Sequence, residues 1–136
     1  MADLQAFKKD FILFAEAGFI AVNQSDEDAA IKLFKAAELL DQINLLPKIG
    51  MGYLHLCKLE LDQAEKAFAD ALTINPQDEL AKTLHGLVLS LSPKKEKGGE
   101  KELKESIEKN KDPLNKQLAE TSLKFVNRFV KKGAQR

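Results

Sequence analysis

Residues 50–78 read GMGYLHLCKLELDQAEKAFADALTINPQD, and the spacing inside this stretch decides the fold. Ala64, Phe68 and Ala71 stand four and three residues apart, so they share one helical face, a large ring between two small side chains. Gly52 lies on the preceding apolar run, where a missing side chain admits a partner helix at roughly 1 kcal/mol of helix propensity. Pro76 closes the unit. Outward from here the same columns return 34 residues earlier as Gly18, Ala30, Phe34 and Ala37, and Gly86 follows Gly52 by the same interval. A repeat of this length is one helix pair that buries its apolar face against its neighbours, which frames the chain as 11–44, 45–78 and 79–112. The third frame matches only in its first helix, because Gly98, Glu102 and Glu105 fall in the Ala, Phe and Ala columns.

Boundary signals agree. Ser25 with Asp28 predicts a helix start near residue 26, Asn44 to Pro47 a break and a new start, and Asp78 a cap for a helix over 79–91 that Pro93 stops. SPKKEKGGEKE combines proline, paired glycines and dense charge and reads as an exposed loop. Asp112–Pro113 then starts a last helix with an apolar stripe of Leu114, Leu118, Thr121, Phe125, Val126, Phe129 and Val130. That stripe either caps the open end of the array or docks on a partner. The expected organisation is helical repeats over 1–92, a charged Gly/Pro loop over 93–101, and a polar helix plus an amphipathic capping helix over 102–136.

The 136 residues carry 21 Lys/Arg and 21 Asp/Glu, but the balance is uneven: residues 1–92 are net −6 and residues 93–136 net +6. In KKEKGGEKELKESIEKNK, residues 94–111 of the basic half, lysines alternate with glutamates and no aromatic residues are interleaved for base stacking, which argues against a nucleic-acid site. No apolar run approaches the roughly 18 residues of a membrane span. A single cysteine, Cys57, excludes an internal disulfide and fits a reducing compartment. Phosphate-binding glycine loops, HExxH and GxSxG are missing. His55 and Cys57 are two apart, about 200° round a helix, and cannot act as base and nucleophile. The chain reads as a non-enzyme with no cofactor and no metal.

The columns Gly52, Ala64, Phe68, Ala71 and Pro76 resemble the tetratricopeptide repeat (TPR), with Gly18, Ala30, Phe34, Ala37 and Gly86 as further repeat-packing positions. The resemblance implies an all-α fold: a right-handed superhelix of antiparallel helix pairs, two clear repeats and one degenerate, closed by a C-terminal capping helix. It also implies that first helices line an inner, partner-binding groove, here Ile12, Phe19, Leu46, Ile49, Tyr53, Leu56, Leu80 and Leu87. The clamp by which some TPR proteins grip acidic C-termini is missing, since Ala15, Ile49, Phe19 and Tyr53 hold its places. FAEAGFIAVNQSDEDAAIKLFKAAELLD and PKIGMGYLHLCKLELDQAEKAFADAL are similar to the small TPR chaperones of bacterial type III secretion, in particular those that hold the needle subunit. That similarity implies a bacterial cytoplasmic chaperone. Its groove would shield an amphipathic apolar segment of a secretion substrate, needle subunit or translocator, before export, with room for a co-chaperone or a homodimer. The alternative is a general scaffold for a folded complex.

Overall fold

A computed structural model describes residues 6–131, and the described residues are all-α, with no strand among them. After one 3-10 turn at Lys8–Asp10 come α1 (Phe11–Asn23), α2 (Glu27–Leu40), α3 (Leu46–Cys57), α4 (Leu61–Ile74), α5 (Glu79–Leu91), α6 (Glu96–Lys109) and α7 (Pro113–Phe125). A π-wound segment, Val126–Lys131, continues α7. The chain divides into two compact units, residues 1–67 and 68–136, with the division inside α4.

The helix ends follow from local chemistry. Asp26, Asp78 and Asp112 each cap a helix, accepting from Ala29 N (3.1 Å), Ala81 N (2.9 Å) and Leu114 N (2.9 Å). Asp26 thus takes the role expected of Ser25, which is instead left-handed at φ 60°. Asn44 Oδ1 accepts from Leu46 N at 2.9 Å and starts α3, with Pro47 in its first turn. Pro76 is exposed in the turn between α4 and α5.

The turn after α1 closes with Ser25 N donating to Val22 O and Asp26 N to Ala21 O; the turn after α3 repeats this with Leu59 N to Leu56 O and Glu60 N to His55 O. Both are Schellman closures, each with a left-handed residue, Ser25 or Leu59. The turn after α5 holds the third left-handed residue, Lys94 (φ 69°), but is one residue longer.

In the first unit α1 packs on α2 and α3, and α2 on α3. Phe34 is fully buried at the junction, under two glycines. A Cβ on Gly18 would fall 2.5 Å from the Phe34 ring, and one on Gly50 closer still. Glycine is required at both by the close approach, whatever its helix propensity. Ala21, Val22, Ala30 and Leu54 complete this cluster; Phe11, Ala15, Ala37 and Leu40 form a second. Gly52 is buried; on α4, which the division crosses, Ala64 of the first unit and Phe68 and Ala71 of the second are all fully buried.

In the second unit the expected loop over 93–101 shrinks to a short turn: α6 begins at Glu96 and takes in Gly98 and Gly99. The paired glycines are not breakers. A Cβ on Gly99 would collide with the backbone N of Ser90 and O of Gly86, so Gly99 is where α6 crosses α5, whereas nothing lies within 4 Å of a Cβ on Gly98. The buried face of α6 is Gly99, Leu103 and Ser106, which repeats the four-and-three spacing of Ala30/Phe34/Ala37 and Ala64/Phe68/Ala71. The third helix pair is therefore present, displaced by the one extra turn residue, and Gly98, Glu102 and Glu105 were the wrong column. A Cβ on Gly86 would lie 3.1 Å from Glu102 Cβ and 3.2 Å from Leu103 Cγ, so Gly86 stands opposite Leu103 as Gly18 stands opposite Phe34, with a looser approach.

Buried hydroxyls on α5 and just beyond it are satisfied within the helix: Thr83 to Glu79 O (2.9 Å), Ser90 to Gly86 O (2.8 Å) and Ser92 to Val88 O (2.7 Å). Helix α7 packs on α5 and α6 through Ala119 and Ser122, with Val126 just beyond. Leu114, Thr121, Phe125 and Phe129, expected in its packing stripe, are exposed. Small residues allow the closer helix approach, so they win the interface. The last five residues of the expected C-terminal segment, 132–136, lie outside the described residues.

Candidate protein-binding face

Two columns of each first helix behave differently from what the expected groove required. In α3, Leu46 and Tyr53 are half-buried, but Ile49 and Leu56 are core residues, 2% and 8% exposed. They lie about 60° round the helix from the Leu46/Tyr53 line, on a face turned to neighbouring helices. The same division holds in α1, where Ile12 is 50% exposed and Phe19 half-buried while Ala15 and Val22 are buried. It holds again in α5, where Leu80 and Leu87 are half-buried and Thr83 and Ser90 have no exposure. Ile49 and Leu56 are thus removed from the partner-binding set. The accessible wall is a pair of side chains seven residues apart on each helix.

In the first unit this wall is held by aromatic packing. The Phe19 ring meets Phe34 edge-on at 5.2 Å and lies 5.6 Å from Tyr53. The Tyr53 hydroxyl donates to Asn23 Oδ1 at 2.6 Å, tying α3 to the end of α1. Burial, with the Cys57 thiol next, pushes the phenol above its ordinary value. Cys57 itself is exposed. At the following turn His55 Nδ1 meets Glu60 Oε1 at 2.9 Å and Lys58 reaches Glu27 at 2.9 Å. The hydrogen bond from His55 holds the Glu60 carboxyl below the usual range.

The second unit has a row that the sequence reading assigned elsewhere. The buried triad Ala81, Leu84 and Val88 of α5 recurs 38 residues later as Ala119, Ser122 and Val126. The same offset carries Leu80, Leu87 and Leu91 onto Leu118, Phe125 and Phe129. Helix α7 therefore behaves as one more first helix, and its large apolar side chains continue the wall instead of filling the core. Phe125 and Phe129 are 47% and 60% exposed, their rings 5.2 Å apart, with the Arg128 guanidinium 5.6 Å from the Phe129 centroid. Comparing buried faces across helices, instead of fixed 34-residue columns, is the signal that finds this row.

A second exposed face lies on α1. Leu13, Glu16 and Ile20 are exposed, whereas their counterparts on α3, Pro47, Gly50 and Leu54, are buried. Among the described residues no group of three or more His, Cys, Asp or Glu could hold a metal. A depression of about 430 Å³ in the second unit is lined by Leu72, Glu79, Lys82, Glu102, Glu105 and Lys109 among others, and none of the wall residues. No described helix is long and apolar enough to cross a membrane. Set against protein-family models, curated proteins and solved structures, the chain matches none significantly.

Proposed function

We propose that this chain is a non-enzymatic, TPR-like chaperone, a right-handed superhelix of antiparallel helix pairs. It shields an amphipathic apolar segment of a type III secretion substrate in the bacterial cytoplasm until export. The observation that carries this reading is the recurrence of accessible apolar pairs at one position of successive first helices: Ile12/Phe19, Leu46/Tyr53, Leu80/Leu87 and Leu118/Phe125. No charged side chain occupies these places, so the face gains from burying another apolar surface, at roughly 25 cal/mol per Å² before entropic losses. A helix laid on such walls has its own apolar face covered and cannot pair with further copies of itself. The open face of α1, with Leu13 and Ile20, offers a separate place for a co-chaperone helix.

The test is co-expression with a small amphipathic needle-type subunit, reading its solubility and the heat stability of the complex. Wild type is expected to keep the subunit monomeric. Ile12→Asp, at a half-exposed site, is expected to lose it while circular dichroism stays unchanged. Tyr53→Asp is expected to lose it too, with some loss of stability, because Tyr53 also packs on Phe19 and binds Asn23. A subunit that aggregates equally with and without the chain would overturn the proposal.

A further inference from the structure

Resting on that reading, the structure assigns a charge preference to the apolar wall of the second unit. We infer that the α5/α7 wall takes an amphipathic helix whose apolar face is edged by carboxylates. Leu118, Phe125 and Phe129 run along one side of α7 and its continuation, in register with Leu80, Leu87 and Leu91 of the helix they pack beside. The two rings are half open and sit against each other, so the row ends in a ready apolar platform. Beside it stand exposed Lys124 and Arg128, on the next helical column. Residues 110–136 hold seven Lys/Arg against two Asp/Glu. The row in the first unit has no such edge: the α1 positions that correspond to Lys124 and Arg128 are Gly18 and Val22, both buried. Arginine over an aromatic ring keeps donors free for a carboxylate, the pairing its fork geometry favours.

Two synthetic amphipathic helices with the same leucine face, one edged with glutamate and one with lysine, test this against the full chain by fluorescence anisotropy. The glutamate peptide is expected to bind about fivefold tighter at low salt, with the difference collapsing near about 0.5 M salt. Lys124→Glu with Arg128→Glu is expected to invert the order. Phe129→Ala is expected to weaken both peptides by about fivefold or more. Circular dichroism of each variant checks that the fold is kept. Equal affinity for the two peptides, or a preference untouched by the double reversal, overturns the charge assignment and leaves the chaperone reading standing. Binding of neither peptide sinks both. Phosphatidylserine vesicles that displace the glutamate peptide reassign the basic edge to lipid and overturn the inference.

Discussion

The two units solve one packing problem with different chemistry. In the first, an aromatic ring on the second helix, Phe34, sits under glycines from the helices on either side, Gly18 and Gly50. In the second, Leu103 takes the place of the ring, Gly99 and Ser106 replace the alanines, and Gly86 again stands opposite. What is kept is the size pattern, small, large, small, facing a position with no side chain. The identity of the residues that fill it is free. This is how a repeat survives in shape after it has faded in sequence.

The sharpest way to break that equivalence is to empty both large positions. Phe34→Ala is expected to destabilise by about 4 kcal/mol and Leu103→Ala by about 3, read from urea unfolding. A loss under about 1 kcal/mol at Leu103 would show that the second unit does not depend on it. Next comes the glycine pair of α6. Gly99→Ala should destabilise by about 3 kcal/mol, because its new methyl meets backbone, while Gly98→Ala should stabilise by about 0.5–1 kcal/mol through helix propensity. Opposite signs at adjacent residues would be hard to obtain if 93–101 were a loop.

Smaller effects separate the titrating groups. Tyr53 is the single tyrosine and the chain has no tryptophan, so ultraviolet absorbance reports it alone. Its midpoint is expected above the ordinary value of about 10. A phenol raised in this way contributes its stability fully below the unfolded value and loses it as pH rises through the folded one. Glu60 runs the other way. Held low by His55, it contributes above the unfolded carboxyl value and loses that as pH falls. His55→Ala is expected to return its midpoint, followed by NMR, toward the ordinary range.

Much of the first unit was legible because Gly18, Ala30, Phe34 and Ala37 repeat at a fixed interval with unmistakable sizes. Gly50 was missed, since it stands two residues from the expected Gly52 and only a three-dimensional crossing explains it. The second unit was misread for a simpler reason: one added residue in the turn at 92–95 shifted Leu103 out of its column and left charged residues in view. The apolar row of α7 was visible, but its direction was not. Periodicity says which residues share a face; it does not say whether Ala119 and Ser122, or Phe125 and Phe129, will be the face that packs.

The left-handed residues Ser25, Leu59 and Lys94 give the array an unused reserve. A side chain in that backbone region carries a penalty of roughly 1–2 kcal/mol, of which glycine would return part after its own entropy loss. The three joints are thus separately adjustable, and none of them is a wall residue. A laboratory that needs a hardier version of this protein can thermostabilise it by glycine substitution at the joints, leaving its grip on a ligand as it was.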